Sequence, residues 1–374
     1  MKKIIVVFLF SIFALSLFAF DFGGSLDTSF LIFDENKIPS KDSYMALSET
    51  ASLWIRHNFS NWISFSMEGN YSASYDFKDF SQNLNLDFLK LKMNFAPSSV
   101  AEIGVDLGRF HVSDSTSLVL NGLIDGAQVK ILLPEVDFSL FGGYTGLLNA
   151  KSVSIVNSTV EKTQDSLYGF APKYLLGGIS LFATNYYGNH SVGCDFSTFI
   201  PVDSRETRTS SFYVGFDATG PVFSSLYYDV SAILSLFAGE NVNTGFLVDG
   251  LISYYAPFLS SVVSLNATYA TDSFCPFSNS SVVMGGVRDL SGLLKLGLVS
   301  SIKPFSNFLV VISGDYLMDD VDSKLTSFGF QWYANLKWQI LSDLQFSLYC
   351  GQLLPLHEEV APQFASSASF IINF

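Results

Sequence analysis

Apolar and polar residues alternate one by one along much of this chain. The clearest stretch, ISFSMEGNYSASYDF (63–77), places Ile63, Phe65, Met67 and Tyr71 in one phase and serine, glutamate, asparagine and aspartate in the other. The same period of two recurs in VDFSLFGGYTG, SLYYDVSAILSLF and ANLKWQI. A helical period of 3.6 fits none of these stretches. The pattern predicts β-strands with one apolar and one polar face.

Short and long connections alternate between these strands. Short ones such as NFSN, APSS and TGPV are rich in turn-forming residues, and longer, more polar ones separate them. This rhythm is typical of an antiparallel up-and-down β-barrel in a membrane, with the short turns on one side. Following the strands through the chain gives 18, an even number, with 16 as the second choice. The fold class predicted is therefore all-β.

Composition agrees with a membrane barrel. The chain is 49% hydrophobic and only 14% charged, whereas ordinary globular domains carry about 25% charged residues. The N-terminus, MKKIIVVFLFSIFALSLFA, has the basic start, apolar run and small final residue of a secretory signal peptide. No later apolar run reaches the roughly 18 residues of a membrane helix. We expect a signal peptide at 1–19 and a transmembrane barrel at 20–374, since only closed barrels or helices satisfy the backbone in lipid.

Two local features refine this prediction. The segment LNLDFLKLKMNF switches the phase of its apolar residues, so a β-bulge is expected near Asp87 to Leu89. The last residues, FASSASFIINF, read as a strand whose edge must be paired, and pairing with the first strand would close the barrel. The terminal Phe374 with Ile372 and Phe370 resembles the C-terminal signal of Gram-negative-type outer-membrane barrels. That resemblance implies recognition of these three residues by the barrel-assembly machinery.

The polar strand phase would line the lumen, and acids outnumber bases in it. We therefore expect a preference for cations, although simple water-facing, salt-screened side chains are an equal alternative. No cofactor or metal is expected. The predicted pore-lining residues are Asp27, Glu68, Asp76, Asp106, Asp217, Asp229, Arg56, Lys130, Lys295 and Lys337.

Three further motifs bear on the lumen. GRFHVSD followed by DGAQV resembles a G-R, loop, D-G arrangement of several substrate-selective porin families, although close packing at Gly108 and a turn at Asp125–Gly126 are the favoured explanation. The tyrosines of TNYYGNH (184–190) are expected to lie in an interfacial girdle rather than along a sugar path. The ranges 149–166 and 272–289 are the candidate constriction loops.

These features favour a porin-like outer-membrane channel for the passive diffusion of small hydrophilic solutes. A fatty-acid-type transporter, a structural or adhesive barrel, and a soluble β-sandwich remain alternatives. No catalytic triad or metal spacing surrounds the four histidines, so an enzyme is not expected. A pI near 4.6 argues against nucleic acid. The expected partners are outer-membrane lipid, the secretion translocon and assembly machinery during biogenesis, and small solutes; the oligomeric state is left open.

Overall fold

The chain forms a closed antiparallel barrel of 18 strands in a computed structural model. The predicted fold class and strand number are confirmed. The residues that the structure describes are 20–36, 41–76, 79–153, 155, 167–202, 210–238, 242–278, 283–284, 290–321, 324–356 and 360–374. The predicted signal peptide, 1–19, lies outside them. No helix in the described part of the chain is long and apolar enough to cross a membrane.

Each strand pairs with its neighbours in sequence, and β1 pairs with both β2 and β18. The strands are β1 Asp21–Asn36, β2 Lys41–Ser60, β3 Ile63–Tyr75, β4 Phe80–Ser98, β5 Ala101–Ser113, β6 Asn121–Leu132, β7 Val136–Tyr144, β8 Tyr174–Tyr187, β9 His190–Pro201, β10 Ser210–Phe223, β11 Leu226–Ala238, β12 Asn243–Ala256, β13 Ser261–Ala270, β14 Leu293–Phe305, β15 Phe308–Val321, β16 Lys324–Gln339, β17 Leu344–Pro355 and β18 Gln363–Asn373. Short turns therefore lie at one end of the barrel and longer connections at the other.

The two strand faces have opposite environments, as the alternation predicts. On β11, Leu234 is 47% exposed on the outside, whereas Ser231 is 7% and Ser235 0% exposed on the inside. At the short-turn end, Tyr186 and Tyr187 are 78% and 81% exposed, which suits an interfacial girdle. An apolar outer surface around a polar interior is what a barrel in lipid requires.

The predicted bulge is present at Asp87. Glu68 pairs with Phe88 and Gly69 with Leu86, so Asp87 is the extra residue on β4. Its carboxylate accepts hydrogen bonds from the side-chain amides of Asn70 (2.6 Å) and Asn85 (2.7 Å). Beyond the bulge, Lys90 and Lys92 fall on the inner face.

The upper part of β4 leaves its neighbour. Pairing with β5 ends at Leu89 opposite Arg109, and the segment 80–86 instead bonds to the loop between β7 and β8. The Leu84 amide donates to the Leu167 carbonyl (3.1 Å), and the Asn149 side-chain amide donates to the Leu84 carbonyl (2.8 Å). The loop therefore seals a seam in the wall between β4 and β5.

The C-terminal strand closes the barrel without a free edge. Its register with β1 runs from Ser25 opposite Asn373 to Glu35 opposite Gln363, and the backbones of Gly24 and Phe374 exchange hydrogen bonds of 2.9 and 3.0 Å. The side chains of the predicted assembly signal lie outside, with Phe370 48%, Ile372 44% and Phe374 72% exposed. Their recognition during assembly stays a prediction.

The ladder between β15 and β16 extends into a polar region of the sequence. Most of the region 318–327 is strand, since Asp319 pairs with Thr326 and Asp320 with Leu325. Polar residues continue the ladder there because backbone pairing at a barrel rim needs no apolar face.

Candidate solute pathway

Three loops at the long-loop end turn into the barrel and narrow it. We call them the β5–β6 loop (114–120), the β7–β8 loop (145–173) and the β13–β14 loop (271–292), and the structure describes parts of the last two. The amides of Phe277 and Ser278 donate to the Val119 carbonyl at 3.0 and 2.8 Å, and Ile155 forms a β-bridge with Ser278. The three loops thus meet one another. Both predicted constriction loops contribute, and the β5–β6 loop, absent from that prediction, joins them.

Apolar side chains fasten this loop assembly to the wall. Phe277 is 3% exposed and stacks on Phe199 of β9, with ring centroids 4.0 Å apart, and its edge contact with Tyr174 of β8 measures 5.2 Å. The Tyr213 hydroxyl donates to the Cys275 carbonyl at 2.7 Å. Burial of these aromatic rings holds the β13–β14 loop against one side of the lumen. The interior of the barrel is therefore partly filled at this height.

A cavity of about 590 Å³ lies between the loops and the opposite wall. On the wall side it is lined by Lys295, Asp315, Gln331 and Tyr333, and on the loop side by hydroxyl and amide groups together with apolar side chains such as Leu118 and Phe277. Asp315 is 2% exposed and accepts a hydrogen bond from Gln331 at 2.8 Å, while Gln331 also accepts from the Met284 amide at 3.0 Å. Lys295 makes no ion pair with any described residue. This cavity offers hydrogen-bonding groups to a polar solute.

A second cavity, of about 430 Å³, is basic. Arg56, Lys90, Lys92 and Lys130 line it, and among carboxylates Asp106 lines it too, 3.7 Å from the Lys90 ammonium. These residues come from the sector β2–β6. Sequence reasoning missed Lys90 and Lys92, although the phase change at the bulge places both on the inner face.

A third cavity, of about 340 Å³, is acidic and lies against β9–β11, with Asp195, Asp217 and Asp229 in its lining. The sequences of β9 to β12 contain no lysine or arginine, and each carries one inward aspartate, with Asp249 on β12. Sequence reasoning missed Asp195 as a lining residue. The inner wall is therefore divided into a basic and an acidic sector.

The predicted pore-lining residues separate into groups. Arg56, Asp106 and Lys130 meet around the basic cavity, Asp217 and Asp229 around the acidic one, and Lys295 lines the 590 Å³ cavity. Inner-face strand positions that line none of the three are Asp27, Glu68 and Lys337. Asp76 lies in the turn after β3, where its carboxylate accepts from the Asp79 amide at 2.6 Å. Contact of any of these residues with a solute stays a prediction.

The G-R and D-G dipeptides meet across β5 and β6. Arg109, 6% exposed, forms two 2.8 Å hydrogen bonds with the Asp125 carboxylate and also donates to the carbonyls of Leu86 (3.1 Å) and Leu147 (3.0 Å). Gly108 has φ +113° and lies where a Cβ would stand 2.1 Å from the Leu89 carbonyl oxygen, so glycine is required. The motif fastens the β7–β8 loop to the β4–β5 seam.

The described histidines do not gather at one place in the barrel. His57, His111 and His190 lie apart, on β2, β5 and β9, and His190 contacts the Tyr228 hydroxyl at 2.9 Å. No group of three or more potential metal ligands occurs in these parts of the chain.

A closed 18-stranded barrel with inward-folded loops is the architecture of outer-membrane porins, and the comparisons agree at the level of fold. OccK5 (OpdH) of Pseudomonas aeruginosa superposes with a TM-score of 0.64 at 12% identity, over 95% of this chain and 98% of that one. A BenF-like porin from Pseudomonas fluorescens Pf-5 gives 0.63 at 10% identity, over 95% and 99%. OccK2 (OpdF) of P. aeruginosa, solved in complex with glucuronate, gives 0.63 at 11%, over 95% and 97%. No protein-family model and no curated protein matches the sequence.

Proposed function

We propose that this protein is an integral outer-membrane channel of the porin type, through which small hydrophilic solutes diffuse passively. The observation that carries the proposal is the closed barrel with an apolar exterior and a lumen that contains three cavities, each with charged side chains in its lining. An 18-stranded barrel is too wide for wall side chains to fill, so only the inward loops limit its bore. The likeness to porins supports the same function, and a catalytic activity is not part of it.

We further propose that the channel prefers cations. The sector β9–β12 presents four inward aspartates with no lysine or arginine on the same strands. Carboxylates in a confined aqueous passage raise the local cation concentration. The basic sector around Arg56, Lys90 and Lys130 opposes this effect. A lumen with one acidic and one basic sector would also orient solutes that carry both charges.

The test is single-channel recording from the refolded protein in a planar bilayer, with a KCl gradient across it. We expect ohmic steps and a reversal potential of the sign that cation selectivity gives. Silence from verifiably folded barrels would contradict a channel and would direct attention to hydrophobic ligands. Current with an anion-selective reversal potential would contradict the cation preference alone.

A further inference from the structure

The acidic sector is ordered as a diagonal series. Asp195 of β9 pairs with Gly215 of β10, and Asp217 of β10 pairs with Gly193 of β9. Asp217 and Asp195 are therefore diagonal neighbours, with their Cα atoms roughly 7 to 8 Å apart. Asp229 of β11 stands in the same diagonal relation to Asp217, because it pairs with Thr219. The three carboxylates thus follow one another at a regular spacing.

Glycines opposite the first two aspartates keep their carboxylates flat against the wall. A Cβ at Gly215 would lie 2.4 Å from an Asp195 carboxylate oxygen, and one at Gly193 would lie 2.5 Å from an Asp217 carboxylate oxygen. Each carboxylate therefore occupies the space that a side chain on the neighbouring strand would fill. The arrangement leaves the cavity in front of the carboxylates open.

The β5–β6 loop covers this cavity, which we call the acidic chamber. Asp114 of the loop accepts hydrogen bonds from the amides of Thr116 (3.0 Å) and Leu120 (2.7 Å), so backbone amides of the loop itself stabilise this carboxylate. Ser115 donates to Asp195 at 3.0 Å. Among the residues that line the chamber, no lysine or arginine faces the carboxylates. The charges of Asp195, Asp217 and Asp229 therefore have no cationic partner within it.

An unsatisfied hydroxyl adds an independent sign of a ligand. Ser197 lines the chamber and is 4% exposed, yet its Oγ makes no hydrogen bond with any described residue. A buried hydroxyl without a partner is costly. Ser197 lies two residues from Asp195 on the same inner face of β9, so a bound donor at the carboxylates lies near the hydroxyl too.

We propose that the acidic chamber is a binding subsite for organic ammonium groups, and that a short linear diamine is the chemical class it fits best. The carboxylates are spaced along the wall rather than gathered around a point, and no metal-ligand cluster occurs in the described residues. A diamine can place one ammonium at each of two successive carboxylates. This inference rests on the proposed channel function and names a solute class for it.

The test is block of the KCl current by 1,4-diaminobutane, added on the long-loop side of the full-length mature barrel in a planar bilayer. The variant is Asp195→Asn with Asp217→Asn, which keeps size and shape while removing two charges. We expect the diamine to block the wild type and the half-blocking concentration to rise about tenfold in the variant, the loss of two moderate ion pairs. The difference in electrophoretic mobility between heated and unheated samples verifies the folding of each variant.

The matched control is Asp21→Asn with Asp27→Asn, which removes two inward carboxylates of β1, outside the chamber. We expect its half-blocking concentration to change by less than about twofold, because distant charges are screened. Equal shifts in the two double variants, or an unblocked wild type, would overturn the ammonium subsite while leaving the channel intact. An absence of any current from folded wild type would overturn the channel proposal, and the subsite with it.

Discussion

At the scale of single residues, the ion pair of Arg109 and Asp125 joins a buried guanidinium, 7% exposed, to a carboxylate that is 21% exposed. The guanidinium donates to a carboxylate and to two backbone carbonyls at once: Leu86 lies on the part of β4 that does not pair with β5, and Leu147 lies in the β7–β8 loop. Removing the guanidinium leaves a partly solvated carboxylate and two carbonyls without their charged donor. We expect Arg109→Met to lower the free energy of unfolding by about 2 to 3 kcal/mol, measured by urea unfolding of the barrel in lipid vesicles.

The control for this prediction replaces both partners. The double variant Arg109→Met with Asp125→Leu leaves no carboxylate without its partner, so part of the lost stability should return. The carbonyls of Leu86 and Leu147 still lose their donor in it. A single Arg109→Met variant as stable as the wild type would show that the pair does not hold the seam.

At the scale of strands, the alternation makes opposite predictions for neighbouring positions of β11. Leu234 is exposed on the outer face and Ser231 is buried on the inner face. We expect Leu234→Arg to cost roughly 2 to 4 kcal/mol and to impair assembly, because it places a charge in lipid. Folded yield and urea stability in vesicles measure the effect.

Ser231→Arg is the matched control on the same strand. Ser231 pairs with Asp217 on one side and Asp249 on the other, so an arginine there enters an acidic part of the lumen and should be tolerated. Equal tolerance at the two positions would contradict the assigned strand phase.

The strands were predictable from sequence because lipid and water impose a period of two on every wall residue. The count of 18, the bulge at Asp87 and the closure by the last strand all follow from that period. The loop assembly was not predictable, since the contact of Phe277 with Phe199 joins distant segments and leaves no local pattern. The filling of the seam by the β7–β8 loop could not be predicted for the same reason, because Leu84 and Leu167 lie far apart in the chain.

At the scale of the whole molecule, the wall and the loops determine different properties of the barrel. The wall supplies the closed ladder and the two charged sectors, while the loops set how much of the lumen stays open. Away from the β4–β5 seam, wall stability comes from backbone pairing around the ring, which does not depend on the loops. Bore and stability should therefore be separable by mutation.

Phe277 is a position at which a mutation should change the width of the lumen without unfolding the wall. It joins the β13–β14 loop to Phe199 and Tyr174 of the wall, and its backbone amide joins the β5–β6 loop. Truncating a buried phenylalanine removes about 3 to 5 kcal/mol of packing, here almost all of it between loop and wall. We expect Phe277→Ala to release the loop and raise the single-channel conductance in planar bilayers, while the strand ladder stays folded.

Phe258→Ala is the control, because Phe258 is 74% exposed at the short-turn end and the same atoms are lost without touching the lumen. Its conductance should equal that of the wild type. A conductance unchanged in Phe277→Ala would mean that the loop does not narrow the conducting path. A gain shared by both variants would mean that the change acts on the barrel as a whole and not through the loop assembly.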